Sequence, residues 1–99
     1  MKILRSVQCR AGKEADAVQQ AKAIAAFVNQ RFPSANVEVF SEVFGKAGTL
    51  YWVGDVENAG AMESLDNQLF ADPEWAPLLQ RGEGLFVDGS LRDTLLRSI

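Results

Sequence analysis

One guanidinium, one thiol, two glutamates on a single strand face and a set of large aromatic rings are the side chains of this chain that could do chemistry, and there is no histidine to assist any of them. Arg5 falls among Ile3, Val7 and Cys9 on one face of an alternating opening segment. Its charged head either reaches the sheet edge along its aliphatic stem or pairs with Glu42 or Glu38, because an isolated buried charge is costly. Such a pair would orient an acidic or phenolic ligand. Cys9 is the sole cysteine, so no intrachain disulfide can form. Its basic neighbour Arg10 points to the opposite face of the strand, and a buried, inert thiol is expected. Phe40, Phe44, Tyr51, Trp52, Trp75 and Phe86 complete the set. They suit first a core and a subunit interface, which this fold needs merely to assemble, and as the alternative an apolar pocket for a planar aromatic compound, with Tyr51 or Trp75 at its mouth.

The missing histidines exclude Ser-His-Asp and Cys-His catalysis and histidine-held zinc. A metal would have to rely on carboxylates, whose positions lack calcium-loop spacing, so no metal and no cofactor is expected. Gly45-Lys46-Ala47 lacks the leading glycine and the following Ser or Thr of a phosphate loop, and Gly82-Glu83-Gly84 follows a helix, the wrong context for a dinucleotide fingerprint. A net charge of −3 offers no pull toward phosphate backbones or anionic lipid. Nucleic acid and membrane are therefore not expected partners. No apolar run is long enough for a membrane span, and the reading is a cytoplasmic protein. With 47% apolar and 23% charged residues the chain should fold, as one domain over residues 1–99.

The elements that must position these residues follow from periodicity. Alternation predicts a strand near Met1 to Arg10, ended by Gly12. Glu14 and Asp16 then sit in the first turn of a helix, where negative charge meets the positive end of the dipole. Its stripe is Ala17, Ala21, Ile24, Ala25, Val28 and Phe32, and Pro33 stops it. Val37 to Phe44 reads as a second strand, with Val37, Val39 and Val43 on one face and Phe40, Phe44, Glu38 and Glu42 on the other. Gly45-Lys46-Ala47-Gly48 is a turn returning the chain as an antiparallel strand over Thr49 to Glu57. Asn58 caps a second helix with core positions Met62, Leu65, Leu69 and Phe70. Asp72 and Pro73 start a short helical turn around Trp75, which Pro77 keeps short. The last strand is expected over Gly84 to Asp88, resuming beyond Gly89-Ser90 through Thr94-Leu95-Leu96.

This order is βαββαβ, and right-handed crossovers place both helices on one face of a four-stranded antiparallel sheet. The other face would carry Phe40, Phe44 and either Tyr51 or Trp52, a patch too aromatic to leave in water. Pairing two such faces predicts a homodimer. The RNA-recognition motif shares the same order, but it needs aromatics on the first and third strands within a basic surface. Tyr51-Trp52 would serve the third strand; the first has none.

The order of elements, the stretch Leu65…Leu69-Phe70-Ala71-Asp72-Pro73-Glu74-Trp75 and the closing Leu85-Phe86-Val87-Asp88-Gly89-Ser90-Leu91-Arg92-Asp93-Thr94-Leu95-Leu96-Arg97 resemble the dimeric α/β-barrel superfamily of ferredoxin-like proteins. Its relatives include antibiotic-biosynthesis monooxygenases and NIPSNAP-like proteins. The resemblance implies an α+β ferredoxin-like fold in which two subunits pack sheet to sheet, each with a pocket between sheet and helices or inside the barrel. It further implies a cofactor-free monooxygenase acting on a phenolic or quinol substrate, with Trp, Asn, Tyr and Arg side chains nearby. Here Trp52 or Trp75 and Arg5 fit those roles, while Asn58 and Asn67 read as a helix cap and a helix-surface residue. The haem-degrading branch needs a proximal histidine that this chain lacks.

Overall fold

The computed structural model describes residues 1–99. Strand β1 (Lys2–Gln8) is central, with β3 (Thr49–Asp55) on one side and β4 (Arg92–Leu96) on the other, and β2 (Glu38–Ser41) forms the far edge in the order β2-β3-β1-β4, every pairing antiparallel. Helices α1 (Glu14–Arg31), α2 (Ala59–Ala71) and the short α3 (Trp75–Gln80) cover one face. This is the expected βαββαβ architecture.

The register settles the two faces. Arg5 lies opposite Trp52 and Asp93, and Ile3 opposite Gly54 and Leu95, all toward the helices. Leu4 lies opposite Val53 and Thr94, and Phe40 opposite Tyr51, all toward the uncovered face. Because side chains alternate along a strand, Trp52 belongs to the helix side and Tyr51 to the open one.

Helix α1 carries Glu14 and Asp16 in its first turn and Arg31 in its last, complementing its dipole at both ends. Ala17 and Ala21 are fully buried, and these small side chains let the helix approach closely enough for Trp52 Nε1 to donate to the Ala21 carbonyl at 2.9 Å. Asn58 caps α2 through its side chain, which accepts the Ala61 amide at 2.8 Å. The core has two centres. Val7, Cys9, Ala17, Ala21 and Leu50 form one, beneath the first half of α1. Val28, Ala35, Leu69, Trp75 and Leu78 form the other, where the end of α1 meets α2 and α3.

Three expectations are corrected. The last strand is Arg92–Leu96, the segment expected only as a resumption beyond Gly89-Ser90, and Gly84 to Asp88 is not a strand. The earlier segment makes only a lone bridge from Phe86 to Cys9 before Gly89, at φ +75°, turns the chain. Ser90 fills the gap in the ladder: its hydroxyl accepts the Gln8 amide at 3.0 Å and donates to the Val87 carbonyl. Strand β2 stops at Ser41 instead of reaching Phe44, because Glu42 folds back to accept from the Lys46 amide and the Tyr51 hydroxyl and so closes the hairpin loop. Phe70, expected in the core, is 76% exposed.

Candidate functional site

Between the sheet and the helices lies a cavity of about 240 Å³. Its floor is Ile3 and Arg5 of β1 with Trp52 and Gly54 of β3; its walls are Ile24 and Val28 of α1, Leu65, Asp66 and Leu69 of α2, and Trp75 at the head of α3. Leu91, Phe70 and Leu79 border it and are substantially exposed. The lining is apolar apart from the Arg5 and Asp66 side chains and Asp55, which is paired with Lys2.

The polar end is built across the sheet register. Asp93, directly opposite Arg5, takes two parallel bonds from the guanidinium, Nε to Oδ1 at 2.7 Å and Nη2 to Oδ2 at 2.8 Å. Asp66 reaches down from α2 to the same Nη2 at 3.4 Å, a weak contact. The Asp93 bond raises the Arg5 pKa above its ordinary value against the opposing effect of burial. The same bond holds the Asp93 carboxyl below the usual carboxylate range. Arg5 is therefore paired inside the molecule with Asp93 and Asp66, and not with Glu38, on the opposite face of the sheet, or Glu42, in the hairpin loop beyond β2.

The two tryptophans differ. Trp52 is fixed by its bond to α1 and by an edge-on contact with Phe86, ring centroids 6.3 Å apart. Trp75 is only 8% exposed, packs on Phe27 at 5.6 Å, and its Nε1–H is buried without an acceptor. Its placement follows from local sequence: the Asp72 side chain accepts the Glu74 amide at 2.9 Å, and Arg31 of α1 bonds to Asp72 at 2.6 Å while lying over the Phe27 ring.

Of the residues singled out in the sequence, the structure brings Arg5, Trp52 and Trp75 to one cavity. Phe86 stands behind Trp52 in the first core centre. Phe40 and Tyr51 lie on the open sheet face, while Glu42 and Phe44 lie in the hairpin loop beyond β2, Phe44 being 93% exposed. Tyr51 and Glu42 are bonded to each other there, which lowers the carboxyl pKa and raises that of the phenol. Cys9 is buried, and desolvation with the nearby Glu14 charge pushes its thiol pKa up. Asp66 and Asp93 were not singled out. Asp66 interrupts the stripe Met62, Leu65, Leu69 at helical spacing, a legible sign of a polar group aimed at the sheet; Asp93 needed the correct last strand. No group of three or more Cys, Asp or Glu side chains is placed to hold a metal.

No protein-family model matches the chain. No curated protein matches it either. Solved structures do. A NIPSNAP domain protein from Burkholderia xenovorans superposes with a TM-score of 0.76 at 13% identity, covering 99% of this chain and 96% of that one. A NIPSNAP family protein of unknown function from Agrobacterium tumefaciens gives 0.77 at 11% identity, covering 96% and 84%. A Deinococcus radiodurans protein, assigned provisionally as an antibiotic-biosynthesis monooxygenase, gives 0.68 at 20% identity, covering 100% and 96%. The chain thus has the ferredoxin-like α+β fold of these NIPSNAP and monooxygenase-like proteins; fold does not by itself carry function. No helix is long and apolar enough to cross a membrane.

Proposed function

We propose that this protein binds a compact aromatic ligand in the cavity between sheet and helices, and that it works as a cytoplasmic homodimer joined through its open sheet faces. The carrying observation is the cavity, lined by two tryptophans and polar at one end. An apolar cavity of about 150 Å³ accepts benzene, so 240 Å³ suits about two fused rings. Trp75 presents its ring to the cavity, while its Nε1–H is buried in the packing behind the wall without an acceptor. The dimer is supported by the apolar residues left on the open face, Phe40, Leu96, Leu4 and Val53. The cytoplasmic assignment rests on the single buried thiol.

Binding is tested by titrating the protein with two-ring aromatics and following tryptophan emission, since Trp52 and Trp75 both line the cavity. Saturable quenching that weakens in Leu65→Trp, which fills the space, is the expected result. Absence of any saturable change with every two-ring probe sinks the reading.

A second reading is cofactor-free oxygenation of a phenolic or quinol substrate. It is favoured by the meeting of Arg5, Trp52 and Trp75 at one apolar cavity and by the likeness to the Deinococcus protein. The reaction would convert an activated ring methylene to a carbonyl with one O₂ and release one water. Oxygen uptake with anthrone-type substrates tests it, and no uptake above the uncatalysed rate removes it.

A further inference from the structure

We infer that Asp66 and Asp93 are specificity-determining residues that make the polar end of the cavity reject anionic ligands and accept neutral hydroxyl-bearing ones. This rests on the reading that the cavity binds a small aromatic molecule. A lone guanidinium at the end of an apolar cavity would capture a carboxylate, the group its planar fork fits best. Here one of the two bidentate edges of the guanidinium is already occupied, Asp93 taking Nε and Nη2, and Asp66 contacts Nη2 on the other. With Asp66 beside it, one positive charge faces two negative ones, and Asp66 itself lines the cavity.

What remains free is specific. Nη1 of Arg5 has no protein partner, and Asp66 makes only the long contact to Nη2, leaving its other oxygen open. Arg5 and Asp66 both line the cavity, so one unbonded donor and one unbonded acceptor belong to its polar end. A hydroxyl satisfies both, accepting from Nη1 and donating to Asp66. A carboxylate can accept from Nη1 but cannot donate, and it meets two like charges in a partly desolvated site. Asp93 acts through Arg5, as a positioning residue; Asp66 would touch the ligand.

The test compares 2-naphthol, neutral at pH 7, with 2-naphthoate by equilibrium dialysis against the full-length protein, its Asp66→Asn variant and its Asp93→Asn variant. The expected result is that the naphthol binds at least about ten-fold more tightly than the naphthoate, and that Asp66→Asn shrinks this ratio several-fold by strengthening naphthoate binding. The ratio within one variant is the readout, because general desolvation of a carboxylate weakens naphthoate equally in all three proteins. Asp66→Asn loses only a 3.4 Å contact and should fold normally, so it carries the test if Asp93→Asn is unstable. Naphthoate binding the native protein as tightly as naphthol, or a ratio unchanged in folded Asp66→Asn, overturns the inference while leaving the binding reading intact. Failure of both probes to bind overturns the binding reading and this inference with it.

Discussion

Asp93 and Arg5 hold each other across the β1–β4 register, and this pairing ties the edge strand to pH. The Asp93 carboxyl is depressed by the Arg5 bond, so its contribution to stability is complete above the unfolded carboxylate value of about 3.9 and is lost as pH falls through the lower folded value. Both partners are partly exposed, which limits the pair to about 1 kcal/mol. Thermal midpoints of the native protein and Asp93→Asn should therefore differ at pH 7 and converge as pH drops from about 4 toward 2; a constant gap across that range means the pair contributes nothing that titrates. Asp72, depressed by the Glu74 amide and by Arg31, adds to the same acid window. Of this cluster Arg5 was readable in the sequence, as a charge out of place among Ile3, Val7 and Cys9, and Asp66 left a sign in the stripe of its helix. Asp93 was not readable as the partner, because which carboxylate meets Arg5 across the sheet depends on strand pairing over a separation of 88 residues, and nothing local encodes that.

Elements are held in place by a few side chains that substitute for backbone. Asn29 of α1 donates to the Val37 carbonyl at 2.9 Å and accepts the Val37 amide at 2.7 Å, so a helix side chain acts as pairing partner for the residue before β2. Asn29→Ala removes both bonds and should cost about 1–3 kcal/mol, with β2 amides exchanging faster than those of β1; equal exchange in the two strands argues against this role. Gly54 of β3 serves the opposite purpose, leaving room. A Cβ there would lie 3.0 Å from the Ala35 carbonyl oxygen and 3.2 Å from Val37 Cγ2. Gly54→Ala should lower stability by about 1–3 kcal/mol in urea unfolding, through overpacking of the 3₁₀ turn Pro33–Ala35 against the sheet. An unchanged midpoint would mean the turn shifts freely. Helices α1 and α2 and the strand from Thr49 were legible because long periodic stripes and caps mark them. The closing strand was placed too early for a physical reason, only its resumption through Thr94-Leu95-Leu96 holding: Leu85-Phe86-Val87 has a buried strand's composition, yet Gly89 and Ser90 turn the chain so that the more polar Arg92–Leu96 takes the ladder.

At the scale of the whole molecule the surface is too large for the mass. A folded monomer of 10.8 kDa exposes about 5,500 Å², whereas this chain exposes 6535 Å². The excess, roughly 1,000 Å², is close to the ~800 Å² that each partner buries in a standard interface. Only 14 of 99 residues are buried, so one sheet face and the outer edge of β4 have been left without cover. The proposed dimer places Phe40, 47% exposed, against the equivalent face of a second copy. A two-fold interface is self-complementary, so one substitution enters it twice. Phe40→Glu puts two carboxylates into the desolvated patch and should weaken association at least about a hundred-fold. Light scattering on a sizing column should then give a dimer for the native chain and a monomer for the variant. Near-ultraviolet circular dichroism of the variant should stay native-like, since Trp52 and Trp75 lie on the helix side of the sheet. A native monomer would leave the excess surface to be covered by something other than a second copy, and a Phe40→Glu protein that still elutes as a tight dimer would move the interface off this face.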